Sequence, residues 1–268
     1  MGAIALSPLD LGLASTMVLL LAWISRRMQF GIEKRLLVSA LRTTVQLTLI
    51  GFVLKVLFDN ATLYWVALLA VLMLLIAGRE VMARQERRFL GWWGYGVGTL
   101  SMFISSFAVT VLALSVLIRP EPWYLPQYAI PLLGMLLGNT MNGIALGLDR
   151  LTTSAWQQRQ QIEARLMLGY PAARAIEDIR RDSMRVGLVP IVNAMAAAGV
   201  ISLPGMMTGQ ILAGAPPLEA VKYQILIMFL IAAGTGFGTL GAVWLGARRL
   251  FDERERLRLE RVGERREG

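Results

Sequence analysis

Seven stretches of this chain carry apolar residues in such long succession that a water-soluble fold has no interior large enough to hide them. They run over about residues 8–25, 36–57, 62–78, 94–118, 128–148, 186–203 and 220–247. A helix crossing about 30 Å of hydrocarbon needs roughly 20 largely apolar residues, at about 1.5 Å of rise each. Strands would need short alternating segments closed into a barrel, and these runs do not alternate. The composition agrees: 56% of the 268 residues are hydrophobic and 17% are charged, against roughly 25% charged in an ordinary soluble domain. The expected fold is an all-α polytopic membrane protein with about seven transmembrane helices. Residues 1–249 form a single membrane domain and 250–268 a charged tail, expected as a solvated, frayed helix. The third run is short, and Tyr64 beside Trp65 suits a start at the membrane interface; Pro190 interrupts the sixth run, which stops before Pro204.

The charges between the runs fix an expected orientation. The net charge is +9, from 27 Lys and Arg against 18 Asp and Glu. With the N-terminus outside, the inner segments hold every basic residue except Arg42, Lys55, Arg119 and Lys222. Such a bias predicts N-out and C-in. It also removes a nucleic-acid partner, because topology already explains the excess of positive charge. The first run lacks a basic region before it and is expected as a retained span rather than a cleaved leader. Cysteine and histidine are both absent, so the chain has no thiolate, no disulfide and no imidazole base or ligand.

The longest polar stretch, about 149–185, is then cytoplasmic. Its core reads QQRQQIEARLMLGYPAARAIEDIRRDSM over 157–184. Gly169 suits the left-handed conformation that closes a helix, and Pro171 suits the first turn of the next. The second helix sets Ala172, Ala175, Ile176 and Ile179 along one side. The result is a helix, a tight turn and a second helix between the fifth and sixth spans. Such an amphipathic pair needs an apolar surface to cover, either the membrane interface or a docked protein.

This loop resembles the cytoplasmic signature of permease subunits in ATP-binding-cassette transporters: Glu-Ala-Ala, three residues, Gly, nine residues, then Ile-x-Leu-Pro. Glu163, Ala164, Gly169 and Ile179 stand at matching places. Arg165 replaces the second Ala, and Arg181 and Asp182 replace the closing Leu-Pro. The segments LRTTVQLTLIGFVLKVLF (41–58), IPLLGMLLGNTMNGIALGL (130–148) and, above all, SLPGMMTGQILAG (202–214) are similar to the Fet-type iron-export permeases and their plant relatives linked to aluminium tolerance. The resemblance implies a permease of the plasma (inner) membrane, working as a pair of identical chains (a homodimer) beside a separate ATP-hydrolysing subunit. It implies a role in coupling to that subunit for Glu163, Ala164, Gly169, Ile176 and Ile179. The chain itself has no G-x-x-x-x-G-K-[ST] phosphate cradle, so ATP and Mg²⁺ belong on the partner and no cofactor is expected on this chain.

Within the spans, Arg42 and Gln46 share a helix face, and an ionisable group in the membrane is a functional candidate; Arg42 also lies close enough to the inner end to snorkel. Asn139 and Asn142 sit among Gly134, Gly138, Gly143 and Gly147, which reads either as close helix packing or as a polar patch on a substrate path. Asn193, Met195, Pro204, Gly205, Met206 and Met207 surround a break in the sixth run, a gate or a structural turn. Carboxylates do not cluster inside the spans, and Met serves both as a soft ligand and as a gap filler, so no metal ligand set is assigned. The leading expectation is a permease exporting iron or a related metal species. A membrane interaction or regulatory protein, a carrier of a non-metal solute and an ion-coupled carrier are the other readings, and no reaction centre for an enzyme is visible.

Overall fold

The computed structural model describes residues 7–264; residues 1–6, and Arg265 and Arg266 of the expected basic tail, lie outside them. The helices are α1 (Pro8–Arg27), α2 (Glu33–Asp59), α3 (Leu63–Ala83), α4 (Trp92–Met102), α5 (Ala108–Leu112), α6 (Pro126–Gln157), α7 (Arg159–Met167), α8 (Ala172–Ala175), α9 (Glu177–Ala197), α10 (Gly205–Leu212) and α11 (Pro217–Arg249). Two short strands, β1 (Arg87–Phe89) and β2 (Val262–Glu264), pair antiparallel. Of two π-helical turns, Phe103–Phe107 joins α4 to α5 and Ala113–Ile118 extends α5, so that the whole makes one rod. Ser7 opens α1 with a capping box, its hydroxyl taking the backbone N–H of Asp10 while the Asp10 carboxylate takes that of Ser7.

Among the described residues, six helices are long and apolar enough to cross a membrane, Trp92–Ile118 counting as one. The chain is a multi-pass membrane protein. The sixth expected run, 186–203, does not form a span of that kind. Its helix, α9, begins back in the polar loop at Glu177, ends at Ala197, and gives way to a bend before α10. Charge at its start and Pro190 within it lower its apolarity.

Directions follow from side-by-side contacts. Gly234 faces Leu136, Gly238 faces Thr140 and Ile144, and Gly246 faces Leu148 and Leu151. Numbers rise together, so α6 and α11 run parallel. Gly187 instead meets Gly143, and the Ser183 carbonyl lies by Gly147, so α9 runs opposite to both. The chain between α6 and α11 therefore travels back along the bundle, and α9 with α10 makes that return.

One end of the bundle collects the basic segments. There the backbone N–H of Glu86 donates to Asp149 (2.6 Å), the Thr152 hydroxyl donates to the Arg87 carbonyl (2.7 Å), and Arg150 pairs with Asp182 (2.7 Å). The tail ends here too, and it is not a frayed helix. Leu250, Phe251 and Val262 are buried, β2 lies on β1, and Arg261 Nη1 donates to the carbonyls of Arg249 (2.9 Å) and Phe251 (3.0 Å). Asp252 knots the turn: its carboxylate accepts from the backbone N–H groups of Arg256 and Arg254 and pairs with the Arg256 side chain. Those contacts, the Arg256 backbone bond foremost, hold its pKa down at about 2.

Candidate functional site

The loop between α6 and α9 is the most distinctive feature of the basic end. Helix α7 closes on Gly169 in the left-handed conformation (φ +85°). The Gly169 N–H donates to the Leu166 carbonyl (2.9 Å) and the Tyr170 N–H to that of Arg165 (3.1 Å), the paired bonds of a Schellman turn. Pro171 then starts α8. Arg165, the residue that departs from the permease signature, clamps the hairpin: its guanidinium donates to the Ala175 carbonyl (3.1 Å) and to Asp178 (2.9 Å).

The two faces of this hairpin differ. Ile162, Ala175, Ile176 and Ile179 belong to the same buried cluster as Phe89, Leu151, Ala155, Leu250 and Val262. The apolar face thus covers the end of the protein's own bundle, a surface beyond the two envisaged from the sequence. Ile176 (1% exposed) and Ile179 (6%) point inward and are positioned to brace the hairpin. Glu163, Ala164 and Gly169 lie on the exposed side. The most exposed apolar residues of the hairpin are Met167 (83%) and Leu168 (78%), with Tyr170 under Arg174 beside them. Sequence reasoning passed over this tip, although three apolar residues around a turn glycine in a polar loop were a readable signal.

The intramembrane candidates do not converge on one place. Arg42 pairs with Glu80 of α3 (2.6 Å), so it has a partner rather than reaching out to the interface alone. Gln46, one turn further along, is exposed. Asn142 accepts from Arg84, while the Asn139 amide donates to the Met135 carbonyl of its own helix (2.8 Å). Arg42, Glu80, Arg84 and Asn142 make a polar tier across α2, α3 and α6 near the basic end. Glu80 and Arg84 were missed because α3 continues past residue 78, where the apolar run stops.

The remaining candidates gather at the far end. Met195, Pro204 and Met207 line a cavity of about 470 Å³ with Gln224, Met228 and Phe229. Met206 points into a second, of about 320 Å³, with Gln127, Tyr128, Met135 and Tyr223. Gln224 Oε1 accepts the Met207 N–H (3.3 Å), which seats α10 on α11. Asn193 and Gly205 are exposed. Among the described residues, no group of three or more Asp or Glu side chains is placed to hold a metal ion.

Three comparisons bear on this arrangement. Residues 8–251 match the model of the uncharacterised protein family UPF0014. The UPF0014 membrane protein slr1647 of Synechocystis is 38% identical over 250 residues, covering 92% of this chain and 93% of the relative. The probable iron export permease protein FetB of Escherichia coli is 34% identical over 255 residues, again 92% and 93%. Protein ALUMINUM SENSITIVE 3 of Arabidopsis thaliana is 31% identical over 233 residues, 87% of this chain and 83% of the relative. No solved structure matches the chain.

Proposed function

This chain belongs to the UPF0014 family, and from that membership we propose that it is the membrane-spanning permease subunit of an ATP-binding-cassette transporter that exports iron or a related metal species. The hairpin of α7 and α8 carries the reading. A rigid, internally clamped element stands at the basic end with an apolar tip exposed and its other face locked into the core. Such a tip suits a groove on a cytoplasmic ATP-hydrolysing subunit. Movement of that subunit would pass through Ile176 and Ile179 into α9 and the bundle, giving a two-state element biased by nucleotide on the partner. The name of the E. coli relative supports export of iron.

The membrane arrangement that goes with this has seven crossings, α9 and α10 together making the sixth. The parallel course of α6 and α11 supports it, because an odd number of crossings must lie between them. The gathering of basic residues at one end supports N-out and C-in in the plasma membrane. Two copies of the chain with two ATP-hydrolysing subunits complete the assembly.

The test is reconstitution in liposomes with an ATPase of the ATP-binding-cassette type, measuring ATP turnover and iron efflux together. Leu168→Asp and Gly169→Val are expected to leave insertion intact and to uncouple turnover from efflux, and Glu163→Ala to weaken coupling. Coupling unchanged in all three variants would remove the hairpin from its role. Efflux of a different solute, with iron inert, would replace the substrate and keep the mechanism.

A further inference from the structure

Where α9 lies between α6 and α11, the three backbones touch. A Cβ on Gly187 would come within 2.6 Å of the Gly143 carbonyl and of Thr239 Cγ2. One on Gly143 would lie 2.6 Å from Thr239 Oγ1, 2.8 Å from Thr235 Cγ2 and 3.0 Å from the Gly187 carbonyl. A turn further on, Gly147 is held against Val243 and the Ser183 carbonyl. This seam has no spare volume.

Two hydroxyls are trapped in it. Thr239 (0% exposed) and Thr235 (2%) stand one turn apart on α11, and neither Oγ1 has a hydrogen-bond partner among the described residues. Burying a hydroxyl without a partner is unfavourable. Valine has the same shape without that cost, and Val243 occupies the equivalent place one turn later. Other buried hydroxyls show the usual remedy: Ser183, in the seam, donates to the Ile179 carbonyl (2.6 Å), and Thr110, on α5 outside it, donates to that of Ser106 (2.7 Å). Thr235 and Thr239 are thus polar groups with no use in the closed seam.

The helix that closes the seam is also the one best connected to the hairpin. Helix α9 follows α8 across one non-helical residue, Ile176, and is anchored there by Ile176 and Ile179. Pro190, three residues beyond Gly187, removes a backbone donor and weakens the helix at the seam. On its α6 side the helix meets Gly143 and Gly147 through Gly187 and the Ser183 carbonyl, a backbone-to-backbone contact with no interlocked side chains across it.

We propose that the α6–α9–α11 seam is the closed translocation path, and that it parts when α9 moves with the hairpin, turning the Thr235 and Thr239 hydroxyls towards an aqueous passage. A solute that accepts hydroxyl and carbonyl oxygens as neighbours, a hard cation or its hydrated or chelated form, is the class it suits. This inference rests on the permease reading.

The native chain contains no cysteine, so a single introduced thiol reports on its own position. The chain carrying Thr239→Cys, reconstituted with its ATPase, is exposed to a charged, membrane-impermeant methanethiosulfonate. Labelling is expected to be slow without nucleotide and to rise about tenfold or more during turnover, as a populated open state demands. Thr110→Cys, buried elsewhere, is expected to stay unlabelled throughout. Thr239→Val is expected to raise the unfolding temperature and to lower transport, whereas Thr239→Ser keeps transport near the native rate. A protected thiol in a protein that is transporting, or full transport by Thr239→Val, overturns the seam and leaves the permease intact. Failure of the unmodified chain to transport or to engage the ATPase overturns both.

Discussion

The spans of the α1–α2 hairpin fall within the range of apolarity of those in the bundle built from α3 to α11, yet the two regions are attached to the molecule in opposite ways. Among the described residues α2 buries Leu57 alone, and α1 buries Ala22 and Ser25. Gly12 and Gly51 have nothing within 4 Å of where a side chain would begin. In the bundle, Gly143, Gly187, Gly238 and Gly246 are each pressed against a neighbouring helix. The hairpin is held by the turn into α3, by Leu57 and Leu54 at the edge of the far-end apolar cluster and by the Arg42–Glu80 pair, and a cleft of about 740 Å³ lined by Phe52, Leu57, Trp65 and Leu72 separates the rest of α2 from α3. The difference lies in small residues rather than in hydrophobicity. Lipid is as good a neighbour for leucine as another helix is, so apolar content does not decide which helices associate, whereas glycine and hydroxyl faces do.

The sharpest way to break this contrast is to truncate one large side chain in each region and follow thermal unfolding in detergent. Phe89→Ala removes a ring at the heart of the basic-end core and is expected to cost about 3–5 kcal/mol; Phe52→Ala, on the cleft, is expected to cost under about 0.5 kcal/mol. Equal losses would mean that the hairpin is as firmly packed as the bundle. Enlarging glycines comes next. Gly187→Leu should lower stability by about 1–3 kcal/mol or more, because backbone stands where the new atoms must go, while Gly51→Leu should leave the melting curve in place. Arg42→Ala tests the tether itself. The pair is half exposed, so at most about 1 kcal/mol of stability is expected to go. The clearer readout is spectroscopic: distances between spin labels on α2 and α3 should spread, and Glu80→Ala should reproduce the spread without adding to it.

The smallest effect concerns acid. Asp252 has its pKa lowered to about 2 from an ordinary 3.8, so its contribution to the folded tail is full above the ordinary value and is lost as pH falls through about 2. Protection of the β2 amides, taken relative to the intrinsic exchange rate at each pH, should therefore fall between about pH 4 and pH 2, and Asp252→Asn should show reduced protection at neutral pH already.

Much of the scaffold was readable because lipid imposes a length on any helix that crosses it, and six of the seven runs became helices of that kind. The gathering of arginines and the left-handed Gly169 were readable for equally local reasons. The limits came from structure that continues beyond the apolar stretch. Helix α6 runs on to Gln157 and α9 starts at Glu177, since a charge ends a hydrophobic run without ending a helix. Glu80 was hidden the same way, and with it the partner of Arg42. The tail misled for a different reason. Its alternating charges gave the appearance of a solvated segment, and the three anchors Leu250, Phe251 and Val262 gain meaning only against β1, which is distant in the chain. The inward face of Ile176 and Ile179 needed the third dimension, because an amphipathic helix announces that it covers something and not what.

The strand pairing at the basic end also orders events during synthesis. β1 precedes α4 in the chain and β2 follows α11, so Arg87–Phe89 is made long before its partner exists. Through the insertion of every later helix, this short edge waits without its strand partner and with Phe89 uncovered on one side. Only when Val262–Glu264 arrives can the lid shut, which makes closure of this end a report that all the helices are already in place.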